Sequence, residues 1–316
     1  MRILVTGAAG FIGSHVSEQL LRRGDTVVAL DNFNDYYSPA RKRANAAILS
    51  AYPNARVVEA DIRDTVAIDA LFAAEKFERV VHLAAMANVR YSVKQPALYV
   101  DVNVKGTHNL LEAAQRHGTR HFVFASTSSV YGQTDKLPFV ENDLTDRPLA
   151  PYPATKKAGE VLAYTYHAAY GLKCRVLRFF SVYGPRGRPD MMPYVFTERI
   201  SRGEPITLFD GGRPQRDWTY VDDTASGVVA ALDAEFDYEI FNLGRGQPVA
   251  MKEFVQIIEE LTGREAIIQP APLPPTEAMI NHSDTSKAAR MLGYHPRVSL
   301  ADGLSRFWDW YRANVA

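Results

Sequence analysis

The chain has 316 residues, 47% hydrophobic and 23% charged, with Lys plus Arg and Asp plus Glu each numbering 36. That balance leaves no overall field to attract nucleic acid or a membrane surface, only room for local basic sites that meet an anionic ligand. Its length slightly exceeds the roughly 250–300 residues at which one hydrophobic core stops growing, so a large domain with a smaller one attached is expected.

Cys174 is the only cysteine, which excludes an intrachain disulfide and points to a reducing compartment. No basic leader with a cleavage site precedes the first apolar run, and no stretch of about 18 apolar residues occurs. A cytoplasmic location is therefore expected, with neither a membrane nor a nucleic-acid partner. No metal-ligand spacing is read. Asn281-His282-Ser283 fits a glycosylation pattern, which a cytoplasmic chain would not use.

In chain order, apolar runs and helical periodicity predict a strand at 3–6, a helix at 14–24 closing on a glycine, a strand at 26–30 and a helix at 40–51. A strand at 56–59, a helix at 66–75, a strand at 79–83 and one long helix at 96–117 follow. The series ends with a strand at 121–125, a helix at 152–170 and a strand at 173–179. Short apolar strands alternating with helices predict an α/β fold, a doubly wound parallel sheet with helices on both faces. After Phe180 the texture loosens, with a loop at 184–189 and recurring Pro and Gly as far as Pro214. A helix at 220–232 and a strand at 238–243 are expected to return to the sheet. A second loop-rich tract at 269–275 precedes a C-terminal helix ending near Tyr311. The expected organisation is a dinucleotide-binding domain over 1–180, joined again by 219–243, and a smaller mixed α/β domain drawn from 181–316 in separate pieces.

Gly7-Ala8-Ala9-Gly10-Phe11-Ile12-Gly13 stands where the first strand hands over to the first helix. Glycines there let backbone N–H groups cradle a pyrophosphate at the helix N-terminus. Asp31 ends the second strand eighteen residues after Gly13, where a carboxylate meets the adenosine ribose; it accepts from the ribose hydroxyls and repels a 2′-phosphate, which selects NAD over NADP. Asn32 follows it. Asp61-Ile62, after the third strand, lies where an adenine edge would sit, although Asp61 serves equally as the N-cap of the next helix. Leu83-Ala84-Ala85 ends the fourth strand with small residues that let the backbone approach the cofactor.

Tyr152 and Lys156 are four residues apart, hence on one helix face. A free phenol titrates near pH 10, and a neighbouring ammonium together with a nicotinamide cation would lower it into range for taking a carbinol proton. In that arrangement Lys156 also holds the nicotinamide ribose, and Thr127 hydrogen-bonds the reacting oxygen. Pro153 suits the first turn of a helix and puts Tyr152 at its start.

Residues 6–13, 31–32, 82–85, 126–132, 152–156, 178–184 and 216–223 together resemble the extended short-chain dehydrogenase/reductases, and among them the NAD-dependent nucleotide-sugar epimerases, along essentially the whole chain. The resemblance implies a homodimer in which the helices at 96–117 and 152–170 pair as a four-helix bundle. Nucleotide-sugar 4,6-dehydratases of this kind carry Asp and Glu directly after the residue matching Thr127, and uronate decarboxylases a Glu at the position of Ser129. Here Ser128 and Ser129 stand there, so elimination lacks its acid and base. Oxidation at C4, rotation of the keto sugar and return of the hydride remain, with NAD kept through the cycle.

Asn88-Val89-Arg90-Tyr91-Ser92 and Gly187-Arg188-Pro189-Asp190-Met191 resemble the UDP-glucuronate 4-epimerases, while Ala87 departs from the lysine of galactose-type enzymes. A sugar carboxylate wants a bidentate arginine and hydroxyl donors; Arg188, Ser128, Ser129 and Ser181 form that set, with Arg90 a further candidate. A phosphate contact or a loop salt bridge is the alternative role for either arginine. Arg216 matches the family's pyrophosphate arginine. Glu277 matches its ribose-binding acid, but Pro274 replaces the arginine often found three residues earlier. Competing expectations are an epimerase of a neutral sugar nucleotide (a UDP-hexose or UDP-pentose) and a non-catalytic NAD-binding protein.

Overall fold

The structure is a computed structural model that describes residues 1–315. Its first part runs β1 (Arg2–Thr6), α1 (Phe11–Arg22), β2 (Thr26–Asp31), α2 (Pro39–Ser50), β3 (Ala55–Glu59), α3 (Thr65–Glu75), β4 (Arg79–His82), α4 (Val89–Lys94), α5 (Pro96–Tyr99), α6 (Gly106–Arg116), β5 (His121–Thr127), α7 (Pro151–Tyr170) and β6 (Lys173–Phe179). It continues through β7 (Ser181–Tyr183), α8 (Met192–Arg202), β8 (Ile206–Phe209), β9 (Gln215–Tyr220), α9 (Val221–Asp233), β10 (Tyr238–Leu243), β11 (Pro248–Ala250), α10 (Met251–Thr262), β12 (Ile268–Ala271), α11 (Ser286–Leu292) and α12 (Leu300–Asn314).

Seven parallel strands form the central sheet in the order β10-β6-β5-β4-β1-β2-β3. Successive residues of a strand face opposite ways, and the packing follows that rule. Ile3, Val5, Val27 and Ala29 join the core beneath α1 and α9, whereas Leu4, Val28, Leu30 and Val80 join the core beneath α3, α6 and α7. The strands therefore read as continuous apolar runs because both faces are covered. This is the Rossmann arrangement, with β10 supplied by the late segment that the sequence returned to the sheet. The chain's order reverses between β1 and β4, and ligands of open α/β sheets bind outside the strand ends at such a point.

A three-stranded sheet, β11-β9-β7, and a parallel pair, β12-β8, lie beyond the main sheet. These short strands, α8 and α10 are not anticipated by periodicity, and β12 occupies part of the tract expected to be loop. Its residues Ile268-Gln269-Pro270-Ala271 pair with β8 in register; Pro270 is tolerated because a two-stranded sheet consists only of edges.

The long helix expected at 96–117 runs unbroken from Pro96 to Arg116, but it starts apart from α4 and widens in its middle. Gln95 precedes a proline and takes φ −134°, which separates α4 from α5. Between α5 and α6 the chain makes a π-helical turn at Val100–Lys105, where three β-branched valines weaken the α preference. The widened turn presents Asn103 to the loop after β4, where its side-chain amide accepts from the N–H of Met86 at 2.8 Å and donates to its carbonyl at 2.9 Å.

Candidate active site

A cleft of about 750 Å³ opens over the carboxyl ends of β1, β2, β4 and β5 and is closed on its far side by the smaller sheets. Of the site residues read from the sequence, all but Asp61 line it.

At the cofactor end the glycines are sterically required. Gly7 has φ +68°, and a Cβ there would sit 2.8 Å from the backbone nitrogen of Ala84. A Cβ on Gly13 would lie 2.0 Å from the carbonyl oxygen of Gly7. The first turn of α1, with Gly10 at its N-cap, has no side-chain cap, so the N–H groups around Phe11, Ile12 and Gly13 remain available to an anion. Asp31 is buried and accepts from the N–H groups of Ala9 (3.2 Å) and Phe33 (2.9 Å). Burial raises its pKa, with Lys42 and these donors opposing the shift. Lys42, unremarked in the sequence, is buried on the cleft wall with its ammonium on the carbonyl and side chain of Asn34.

Asp61 corrects one of its two expected roles. It is Asp64 that caps α3, accepting from the N–H groups of Val66 and Ala67. Asp61 instead turns back on Arg63, receives Asn32 at 2.9 Å, and is pulled down to about 2 chiefly by the Arg63 hydrogen bond. Ile62 and Asn32 reach the cleft wall beside it, as do Leu83 and Ala85 at the end of β4.

Tyr152 is the second residue of α7, between Pro151 and Pro153, and Lys156 follows one turn later. Asn103 donates to Thr155 at 3.0 Å, and Thr155 donates to the Tyr152 carbonyl at 2.7 Å, so the π-helical turn braces the start of α7. Thr127 caps a short 3₁₀ turn at Ser128–Tyr131, accepting from the Ser129 N–H at 3.2 Å, and its hydroxyl donates to Ser129 Oγ at 3.3 Å.

Burial dominates the electrostatics of the pair in the protein alone. Burial raises the Tyr152 phenol; the Thr127 hydroxyl and the Arg188 guanidinium oppose the shift. Arg188 is thus one cation that favours the phenolate. Lys156 is itself pushed down to about 7 by burial, against the charge of Glu160, and its ammonium lies over the Phe124 ring.

Arg188 is held by Asp190 through two hydrogen bonds of 2.9 Å. Ser181 also lines the cleft, and Ser128 accepts from Asn281 at 3.0 Å. Asn281 drew notice in the sequence only as a glycosylation pattern; its Oδ1 is buried without a partner. At the other end Glu277 joins two arginines, accepting from Arg90 Nε at 2.9 Å and Arg216 Nη2 at 3.0 Å. Arg90 thus makes the salt bridge that was its alternative role, at the Arg216 end of the cleft.

A model of the NAD dependent epimerase/dehydratase family matches residues 3–244. The chain belongs to this family. UDP-glucuronate 4-epimerase 3 of Arabidopsis thaliana is 45% identical over 98% of the chain and 76% of the relative. A UDP-glucuronate 4-epimerase of Thermodesulfobacterium geofontis is 42% identical over 99% of the chain and 96% of the relative. The crystal structure of the Bacillus cereus UDP-glucuronic acid 4-epimerase, in complex with UDP-glucuronic acid and NAD, superposes with a TM-score of 0.93 at 35% identity over 99% of both chains. NAD is the cofactor of the family, and the residues here fit it: a turn in which Cβ atoms would collide, free N–H groups at the start of α1, and a buried carboxylate at the end of β2.

Proposed function

We propose that the chain is a UDP-glucuronate 4-epimerase, interconverting UDP-glucuronate and UDP-galacturonate through a 4-keto sugar. The observation that carries this reading is Arg188 lining the same cleft as Thr127, Ser128 and Ser129, near enough to Tyr152 to bear on its charge. A guanidinium there meets a sugar carboxylate, and the hydroxyl cluster holds no acid or base for elimination.

NAD, when bound, supplies the hydride acceptor and donor at C4. Tyr152 takes the proton from the C4 hydroxyl and returns it, with Thr127 hydrogen-bonding the same oxygen. Lys156 holds the nicotinamide ribose. Ser128, Ser129 and Ser181 donate to the uronate beside Arg188, while Arg216, Arg90 and Glu277 meet the diphosphate and ribose of UDP. Asp31, Asn32 and Ile62 take the adenosine half of NAD, with Asp61 behind them holding the Asn32 amide. In this reading residues 1–180 with 219–243 carry the cofactor, and the remaining pieces carry the UDP-sugar.

We further propose a homodimer formed by the helices within 96–117 and 152–170; exposed Val100, Val161 and Tyr164 on these segments support it. The single buried cysteine, Cys174, supports a reducing, cytoplasmic setting. No helix among the described residues is long and apolar enough to cross a membrane.

The test is incubation of the purified protein with UDP-glucuronate, without added NAD, followed by separation of the sugar nucleotides. UDP-galacturonate as the product supports the reading together with retained NAD. Turnover of UDP-glucose with none of UDP-glucuronate, even after NAD is added, overturns it.

A further inference from the structure

The proposed function makes Arg188 the group that meets the sugar carboxylate, and the following inference rests on that reading. We propose that Asp190 is a positioning residue that decides which edge of Arg188 faces the sugar, and thereby protects the keto uronate from losing CO₂.

A guanidinium has two edges able to form a fork, one through Nε and Nη2 and one through Nη1 and Nη2. Asp190 takes the first: Nε donates to Oδ1 and Nη2 to Oδ2, both at 2.9 Å. The second edge is left for the cleft, which Arg188 lines.

Asp190 is itself fixed from two other parts of the fold. Its Oδ2 accepts from the Tyr36 hydroxyl at 2.9 Å and from Asn88 Nδ2 at 2.8 Å. Tyr36 lies in the loop after β2. Asn88 is the N-cap of α4, where its Oδ1 accepts from the Tyr91 N–H at 2.8 Å and its carbonyl accepts from the Tyr99 hydroxyl at 2.6 Å. The Tyr99 ring meets Tyr152 edge-on at 6.1 Å between centroids. Arg188 and Tyr152 are thus oriented through one connected set of side chains, and the long arginine has a single arrangement where it would otherwise have many.

The arrangement makes poor sense as a device for affinity. A carboxylate paired with Arg188 cancels charge that would attract a uronate, and it places a like charge near the incoming group. It makes good sense as a device for orientation. A 4-keto uronate is a β-keto acid. When its C5–C6 bond lines up with the carbonyl π system, that bond breaks, CO₂ leaves, the electron pair enters an enolate at C4, and C5 takes a proton to give a 4-ketopentose. An arginine free to rotate would hold the carboxylate in several orientations, including that one; an arginine with one edge occupied offers a single fork.

The experiment uses the full chain with its bound NAD and UDP-glucuronate labelled with ¹⁴C at C6. Released CO₂ is counted per UDP-galacturonate formed, and the Kd values of UDP-glucuronate and UDP-glucose are taken by calorimetry. Asp190→Asn is expected to raise the CO₂ ratio at least tenfold while the Kd for UDP-glucuronate weakens less than threefold. Tyr36→Phe, a milder change, is expected to move the ratio the same way by a smaller factor. A general loss of folded enzyme would lower both products together and leave their ratio alone. Arg188→Ala separates the two levels of the argument. If it weakens UDP-glucuronate and UDP-glucose alike, the carboxylate reading fails and the role of Asp190 falls with it. If it weakens UDP-glucuronate selectively while both other variants keep the wild-type ratio, the reading stands and the assignment of Asp190 is overturned.

Discussion

The ammonium of Lys156 sits 4.6 Å from the centroid of the Phe124 ring, on a residue only 3% exposed. An aromatic face attracts a cation but replaces little of its lost hydration. This is why burial brings Lys156 from an ordinary value of 10.5 to about 7, with Glu160 acting the other way.

Between those two values the unfolded chain keeps the Lys156 proton and the folded chain does not. The unfolded state therefore binds more protons, and folding gains stability as pH rises through this window. The urea midpoint of the NAD-stripped protein is expected to rise from about pH 7 to about pH 9, and Lys156→Met should remove part of that rise. Equal pH slopes in the two proteins would show that the ammonium is not desolvated as described.

Gly13→Ala places a Cβ 2.0 Å from the Gly7 carbonyl oxygen and 2.9 Å from the Ala8 Cα, backbone atoms that cannot move aside cheaply. The variant is expected to lose roughly 1–3 kcal/mol of stability and to be purified with little NAD. Cofactor released on denaturation, measured per chain, checks this; a wild-type NAD content would mean that the turn is not the pyrophosphate cradle.

Glu160 and Arg178 form a salt bridge in which both side chains are 1% exposed, with hydrogen bonds of 2.9 Å from Nε and Nη2. Ser126 donates to the same carboxylate at 2.6 Å, and Arg178 also reaches the Tyr131 hydroxyl and the Glu141 carbonyl. Glu160→Ala strands a buried guanidinium and is expected to cost about 3–5 kcal/mol in urea unfolding. The double change to Glu160→Leu and Arg178→Met should recover part of that loss. A single variant within about 1 kcal/mol of wild type would contradict the burial assigned to the pair.

The first part of the fold was legible because its signals are local. Residues 2–6 and 26–31 are apolar runs ending in Thr6 and Asp31, each followed by the turn its strand requires. The smaller part was not. Pro248–Ala250 and Ser181–Tyr183 are three-residue strands whose pairing with β9 comes from distant segments, and the helix Met251–Thr262 starts without a side-chain cap to mark it. The helix expected at 96–117 is present, but its π-helical turn was not legible: three alternating valines stand in the sequence, whereas the hydrogen bonds between Met86 and Asn103 do not.

At the site, residue type and spacing along the chain identified the glycine turn, the Asp31 carboxylate and the Tyr152/Lys156 pair, because each depends on one strand end or one helical turn. Asp190 stood in a motif already singled out, yet only its neighbour Arg188 was assigned chemistry. Its partners Tyr36 and Asn88 are 154 and 102 residues away. The same holds for Glu277, whose two arginines lie 187 and 61 residues before it. Such pairings depend on strand order and on where each crossover sets its loop, and periodicity along the chain carries neither. The sequence by itself determined the sheet, the glycine turn and the spacing of Tyr152 and Lys156, because each is set by one strand end or one helical turn; only the tertiary structure decided which charges face one another across the cleft, because those pairings join segments far apart in the chain.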